Sequence, residues 1–378
     1  MRSDGPVHAY LGTLKQEIAT LSRMLPPDVE VARIHWGGGT PTLLAPDMMT
    51  DLSQALHAAF PVADQAEFSV EIDPNEIDGA RLDALATAGM NRASIGVQDF
   101  DPEIQQIIGR VQSYEVTRNA VEGLRARGIT SLNADILFGL PKQTRTRISE
   151  TVQMLLTLAP DRVALYGYAH VPWMAKRQSM IPTETLPSPE ERLALFETAR
   201  RLFLWDDYAE IGIDHFARHD DALAHAAGTG NLRRNFQGYT DDGCDVLLGL
   251  GASAISQFPQ GYAQNASGTA DYQRAVRSGV LATGRGHVFK GQDRLRARII
   301  EALMCDFRVK TTALMHDFDV PADTLTAMYA KAAQAFPGMV RADAGGLEIL
   351  PEGKPLTRMI ARAFDAYEMH AEGHSSAI

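Results

Sequence analysis

Three consecutive glycines, Gly37–Gly39, separate an apolar stretch from the run Thr40-Pro41-Thr42. Glycine lets the backbone take either sign of φ and lets a ligand approach its N–H groups closely. The pattern is not GxGxxG and carries no P-loop lysine, which argues against a nucleotide phosphate. It suits a small polar group such as an amino-acid carboxylate or ammonium, and it suits a tight strand-to-helix turn equally well. Glu71 and Asp73, in SVEIDP, fall on one face of an extended strand. Two carboxylates in a water-poor site can bind a cation, hold an ammonium, or act as acid and base. A strand-end carboxylate can instead cap the next helix, and Asp73 before Pro74 suits that role. Gln98 in GVQDF, Arg110 in IIGRVQ and Asp135 in NADILFG extend the polar set. Asp135 can accept from ribose hydroxyls, and Arg110 can fork onto a carboxylate. His215 and His219 have the spacing of a helical chelate, but their segment follows a strand and no third ligand is near, so no metal site is expected. NFQGYT (Asn235–Thr240) and LLGLGASAIS (Leu247–Ser256) can complete a pocket, and neither cysteine has a nearby base.

These residues sit at the ends of short apolar strands that alternate with amphipathic helices. The strand candidates are Val31–Trp36, Phe68–Ile72, Arg92–Val97, Leu132–Phe138, Val163–Ala169 and Ala209–Ile213. The helix candidates are Pro46–Phe60, Asp78–Ala88, Ser113–Arg127, Arg145–Leu158 and Pro189–Asp206, with Ser113 and Ser188 as N-caps. Alternation of this kind predicts a parallel sheet with ligands at its strand ends. Polar residues inside the strands, Asn133 and Asp135, favour a partial barrel over a sheet covered on both faces. From Gly261 onward the pattern becomes helical, with a hairpin whose turn is Asp343–Gly346 and a last helix over Leu356–Met369. The division expected is a partial β/α barrel over residues 1–260 and a mainly helical, winged-helix-like domain over 261–378. The helix Ala322–Phe336 carries one Lys and no Arg, so a packing role is favoured over DNA binding.

The chain has 378 residues and a formal net charge of −11, a poor start for a general nucleic-acid binder but no obstacle to a local basic pocket. Two cysteines, Cys244 and Cys305, exclude a disulfide scaffold and any zinc or iron–sulfur site built only from this chain's thiolates. The first ten residues have no apolar core, and the uncharged stretch Val246–Ala270 is too rich in Gly, Ser, Gln and Asn to span a membrane. A soluble, cytoplasmic protein is expected.

HWGGGTPT, SVEIDP, RASIGVQDF, ADILFGLPKQT, YGYAHVP, DHFAR, RNFQGYT and LLGLGASAIS, in that order, resemble the oxygen-independent coproporphyrinogen III oxidases (coproporphyrinogen dehydrogenases) of haem biosynthesis, which are radical S-adenosylmethionine enzymes. RNFQGYT separates them from the related haem chaperones. The resemblance runs from about residue 7 to the C-terminus. It implies an α/β fold: a partial TIM-like (β/α) radical SAM barrel, here without its first strand, and a helical C-terminal domain. It implies oxidative decarboxylation of coproporphyrinogen III propionates to vinyl groups, giving protoporphyrinogen IX, with two S-adenosylmethionine molecules, a 4Fe–4S cluster and an external electron donor, in a monomer. Matched by motif, the first S-adenosylmethionine contacts Gly38, Glu71 and Ile255. The second contacts Gly39, Thr40, Gln98, Arg110, Asp135 and Ala169. Phe236 and Gln237 fall on the substrate side, Glu71 with them among the catalytic group, and Arg110, Arg233 and Arg234 are candidate partners for the substrate's four carboxylates. The family's CxxxCxxC cluster loop, the strand before it and the Tyr and His near it would precede residue 1 and have no counterpart here. The chain as given is therefore expected to hold no stable cluster and to turn over nothing, as a fragment, a mis-called start or a natural loss. The alternatives are a non-catalytic haem- or S-adenosylmethionine-binding relative and a winged-helix regulator built on a barrel.

Overall fold

The computed structural model describes residues 5–26, 28–173 and 175–367. Five strands alternate with helices: β1 (Val31–Trp36), β2 (Val62–Ile72), β3 (Arg92–Gln98), β4 (Ser131–Phe138) and β5 (Arg162–Gly167). Two antiparallel hairpins follow, β6 (Tyr208–Ile211) with β7 (His215–Arg218), and β8 (Arg233–Asn235) with β9 (Gly238–Thr240). β10 (Ile255–Phe258), β11 (Gly261–Asn265) and β12 (Thr283–Val288) form an antiparallel sheet. β13 (Arg308–Lys310), β14 (Val340–Asp343) and β15 (Gly346–Ile349) form another. The central sheet has the order β1-β2-β3-β4-β5-β7-β6, with β1, β2 and β3 paired in parallel. It is open, with β1 and β6 at the ends of the order.

Strict alternation shapes the faces of the sheet. Ala93, Ile95 and Val97 of β3 and Leu132, Ala134 and Ile136 of β4 are buried, while Ser94, Gly96, Gln98, Asn133 and Asp135 between them are only half-buried. One face is thereby apolar and the other free for polar chemistry. The expected sixth strand is present as β6 and runs parallel to β5, but β7, which the sequence reading did not find, is inserted antiparallel between the two. β6 turns back at Gly212, and β7 pairs antiparallel with both β6 and β5. Gly212 has φ +55°, and a Cβ there would lie 2.2 Å from the Tyr239 ring, so the turn between β6 and β7 has no room for a side chain.

The chain divides into two compact units, residues 1–97 with 112–134 and 244–288, and residues 98–111 with 135–243 and 289–378. In the first, the helix Gly5–Ser22 packs on the helices Pro46–Ala59 and Thr269–Arg277. Sequence reading did not find this N-terminal helix, because its buried side has Thr13 and Glu17 interleaved with Leu11 and Ile18. The buried Glu17 carboxylate accepts from Gly251 N–H (2.8 Å), the Tyr272 hydroxyl (2.7 Å) and Asn265 Nδ2 (2.6 Å). It fixes the loop that leads into β10.

In the second unit, the helix Pro189–Trp205 begins with a capping box between Ser188 and Glu191, as its sequence predicts. The C-terminal helices Asp293–Asp306, Ala322–Ala335 and Thr357–Arg362 share a core with the β13-β15-β14 sheet through Ile299, Leu303, Leu325, Tyr329, Leu347 and Ile360. The expected hairpin turn at Asp343–Gly346 is present, and β13 adds a third strand. The expected last helix is shorter than predicted, Thr357–Arg362, and the final two residues of that expectation, 368 and 369, lie outside the described residues.

Replacing Glu17 by Ala leaves three donors without an acceptor in a buried place. A loss of about 3 kcal/mol is expected, read as a lower denaturant midpoint. An unchanged midpoint would mean that water replaces the carboxylate.

Candidate functional site

In the first unit, the polar face of β1–β3 is laid out as pairs. Glu67 receives Arg33 at 3.2 Å and Arg92 at 2.9 Å. His35 Nδ1 lies 2.7 Å from the Ser69 hydroxyl, and its Nε2 is 3.6 Å from Glu71 Oε1. Asn133 Nδ2 donates to Ser94 Oγ at 2.9 Å. Beyond β1 the chain enters Gly37–Gly39, all exposed. A Cβ on Gly37 would stand 2.4 Å from His35 Nε2 and 2.6 Å from Glu71 Oε1, so only glycine lets the carboxylate lie against the turn. Gly38 has φ +75°, and open space surrounds the Cβ positions of both Gly38 and Gly39. Thr42, buried under the turn, accepts from Asp73 N–H at 3.4 Å, while the Asp73 carboxylate accepts from Asn75 N–H at 3.0 Å. Asp73 thus has a local capping partner, whereas Glu71, 42% exposed at its side chain, faces the glycine turn. Ile255 begins β10 on the other sheet of this unit, its backbone against Gly249. Sequence reasoning missed Arg33 and His35, although period-2 spacing in VARIHW puts both on one face.

In the second unit, Gln98 ends β3 with φ +66°, a left-handed conformation that costs a non-glycine residue about 1 kcal/mol. Asp99, fully buried behind it, holds that shape. Its carboxylate accepts from Thr151 Oγ1 (2.8 Å), Asp101 N–H (2.7 Å) and Gln143 Nε2 (2.7 Å). Gln143 Oε1 in turn accepts from Gly139 N–H at 2.8 Å, just past β4. Burial pushes the Asp99 carboxyl above the ordinary carboxylate range, and these hydrogen bonds oppose the shift. Asp135 is half-buried on β4, Arg110 follows the helix Pro102–Ile108, and Ala169 is exposed past β5. Phe236, 51% exposed, and Gln237 form the exposed tip of the β8–β9 hairpin.

A second cluster in this unit joins Asp214 and His215, which the sequence placed at a strand end, to Arg358, which it did not single out. Asp214 Oδ1 accepts from His215 Nδ1 at 2.7 Å, and Asp214 Oδ2 accepts from Arg358 Nη2 at 2.6 Å. An ionised carboxylate only accepts, so the proton sits on Nδ1 and leaves Nε2 facing the Tyr166 hydroxyl at 3.5 Å. Burial raises the Tyr166 hydroxyl above its usual range; the charges of Asp135 and Asp214 add to this, and those of Arg234 and Arg358 oppose it. His215 and His219 do not share a helix face: His215 lies buried on β7 and His219 is 3.4 Å from Asp207. Arg233 is held by Glu301 at 2.9 Å.

Residues 5–155 match the Radical SAM superfamily. The oxygen-independent coproporphyrinogen III oxidase of Paracoccus denitrificans is 62% identical over 377 residues, covering 100% of this chain and 84% of that protein. The enzyme of the same name from Pseudomonas aeruginosa is 39% identical, covering 95% of this chain and 79% of that one. The solved structure of coproporphyrinogen III oxidase (HemN) from Escherichia coli, a radical SAM enzyme, superposes with a TM-score of 0.93 at 36% identity, over 97% of this chain and 85% of that one. The chain belongs to the oxygen-independent coproporphyrinogen III oxidase family. It is an α/β radical SAM protein with a parallel-stranded central sheet and helical parts, the fold class that its motifs imply.

The family uses S-adenosylmethionine and a 4Fe–4S cluster, and the described residues fit the two differently. The open glycine turn and Glu71 suit the carboxylate and ammonium of the amino-acid half of S-adenosylmethionine. The cluster finds no such fit. Cys244 is exposed; Cys305 is buried, and burial pushes its thiol up to about 12. Among the described residues no three His, Cys, Asp or Glu side chains come together. No helix among them is long and apolar enough to cross a membrane.

Two substitutions test the site's construction. Gly37→Ala drives Glu71 away from the turn and is expected to weaken S-adenosylmethionine binding about tenfold, while Gly12→Ala, on the N-terminal helix with open space around it, changes the affinity little. Equal effects in calorimetry would detach Glu71 from the turn's role. Asp99→Asn turns an amide donor toward Gln143 Nε2, which already donates, and should lower stability by about 2 kcal/mol; a neutral substitution would show that Gln143 turns over freely.

Proposed function

We propose that this chain binds S-adenosylmethionine and coproporphyrinogen III, the reactants of the family's oxidative decarboxylation of two propionates to vinyl groups, which gives protoporphyrinogen IX in haem biosynthesis. The substrate class follows from the names of the relatives. The observation that carries the binding chemistry is the open glycine turn lying against Glu71. Glu71 holds the ammonium of one S-adenosylmethionine while N–H groups around Gly38 take its carboxylate, and Ile255 contributes an apolar contact. Gly39, Thr40, Gln98, Arg110, Asp135 and Ala169 are assigned to a second. Asp135 accepts hydrogen bonds from ribose or ammonium, and the strained Gln98 is kept in place by Asp99. Phe236 and Gln237 are assigned to the substrate, with Phe236 offering an exposed ring for stacking.

In the family, S-adenosylmethionine would supply a carbon radical only after taking an electron from the 4Fe–4S cluster, for which the described residues offer no ligand set. This chain's residues orient the propionate, exclude water and balance its charge. An external electron donor is part of this reading. The monomeric state, the cytoplasmic location and the absence of nucleic-acid and membrane partners belong to it too, supported by the net charge of −11.

Calorimetry with S-adenosylmethionine tests the first half. Wild type should bind, and Glu71→Ala should lose about 10- to 100-fold in affinity, the worth of one charge-assisted hydrogen bond. Equal binding by both proteins sinks the assignment. The 378-residue chain reconstituted with iron and sulfide is expected to give no four-iron signal. A stoichiometric cluster would overturn the reading of its two cysteines.

A further inference from the structure

Arg358 belongs to none of the motifs that carry the family resemblance. It stands in the first turn of the helix Thr357–Arg362, whose other side is anchored by the fully buried Thr357, Ile360 and Ala361. Its side chain is 46% exposed, yet it is not free to wander: Asp214, 9% exposed, takes Nη2 at 2.6 Å. Asp214 is itself fixed by His215 on its other oxygen at 2.7 Å. The His215 ring is clamped edge-on between Tyr166 (5.5 Å, 80°) and Tyr239 (4.9 Å, 81°). The Tyr239 hydroxyl is pinned by Ile213 N–H at 3.0 Å and by the Met304 carbonyl at 2.8 Å. Over the Tyr239 ring lies a second guanidinium, Arg234, with Cζ 5.6 Å from the ring centroid.

Two guanidinium groups are thus mounted on one continuous chain of contacts, Arg234–Tyr239–His215–Asp214–Arg358. An arginine carries five N–H donors, and Asp214 engages a single nitrogen of Arg358. Among the described residues, the remaining donors of Arg358 and the whole guanidinium of Arg234 meet no acceptor. This differs from Arg233, which Glu301 already occupies. A preoriented guanidinium with open donors is a receptor for a planar carboxylate.

We propose that Arg358, held in position by Asp214, binds one carboxylate of the porphyrinogen, with Arg234 available to another. Arg358 thereby becomes a substrate-specificity residue supplied by the C-terminal helix. The inference rests on the function proposed above and adds a contact that the motifs do not assign. Asp214 and His215 are positioning residues, since they act on the substrate only through Arg358.

The test is a fluorescence titration of the full chain with coproporphyrin III, the stable tetracarboxylate form of the ring system, alongside a separate S-adenosylmethionine titration. Wild type should bind the porphyrin saturably. Arg358→Met, which keeps the length and loses the charge, should weaken porphyrin binding about tenfold and leave S-adenosylmethionine binding unchanged. Arg358→Lys, which keeps the charge and loses the fork, should fall between the two. The double variant D214N/R358M separates recognition from neutralisation. It leaves no buried charge unpaired, so it folds even if R358M does not, and under this proposal it still binds porphyrin weakly. Recovery of wild-type affinity in the double variant, or unaltered affinity in R358M, overturns the role of Arg358. No porphyrin binding by wild type would instead overturn the proposed function itself.

Discussion

A sheet that buries apolar side chains on one face and points polar ones from the other lives under one constraint: every charge it turns inward must be answered by a partner or by a ligand. An unanswered charge in a poorly hydrated place costs more than most single packing defects. In the first unit the answers thin out along β2. Glu67 has two arginines within 3.2 Å, whereas among the described residues Glu71 has only His35, at 3.6 Å, and the open glycine turn. The same alternation that makes the strand creates both positions. What separates scaffold from site is that the carboxylate nearer the strand end is left under-answered and accessible, so a bound cation has something to gain by arriving there.

The second unit meets the constraint by locking carboxylates away and using them as pins. Asp99 accepts three hydrogen bonds and is fully buried, so it is closed to ligands and holds the unfavourable backbone of Gln98. Strain of about 1 kcal/mol at Gln98 is small beside hydrogen bonds to a charged group, each contributing roughly 1.5–3 kcal/mol, so the pinned conformation wins. Glu17 does the same for the loop before β10. Both pins are polar residues inside otherwise apolar surroundings, where a low dielectric makes satisfied hydrogen bonds strong and rearrangement costly.

That logic explains what could be read without coordinates. β1 through β5 and the longer helices around them were legible because their burial follows period 2 or 3.6 with clean caps, as at Ser113 and Ser188, whereas the two-turn helix Pro102–Ile108 is too short to show a period. The glycine turn, Glu71, Gln98 and Asp135 were legible as strand-end polar groups, and their motif order pointed to the family. The helix Gly5–Ser22 was hidden because Glu17 and Thr13 occupy its buried side. β7 was hidden because DHFAR sets Asp214, His215 and Arg218 around a single apolar pair, and Asp214 and His215 are satisfied by each other and by the distant Arg358 and Tyr166. Arg358 could not be singled out at all. In the segment LTRMIARAF it lies four residues from Arg362 on the same helix face, and nothing in the sequence shows that Asp214 stands opposite the first of the two.

A chain of net charge −11 that receives a tetra-acid is not a contradiction. Net charge acts through the solvent and is screened within about 8 Å at physiological salt, so it bears on how fast an anion approaches rather than on how tightly it is held once seated. At contact the decision is local and geometric. A guanidinium whose one edge is fixed by a buried carboxylate has already lost the rotamer freedom that binding would otherwise cost it. Asp214 therefore need not compete with the substrate for Arg358. Taking a single nitrogen, it turns a flexible surface cation into an oriented one and leaves the rest of the fork to an incoming carboxylate. An isolated lysine of the same charge would provide the attraction without the direction, which is why the placement of a few arginines, and not the overall balance of charge, governs recognition of such a ligand.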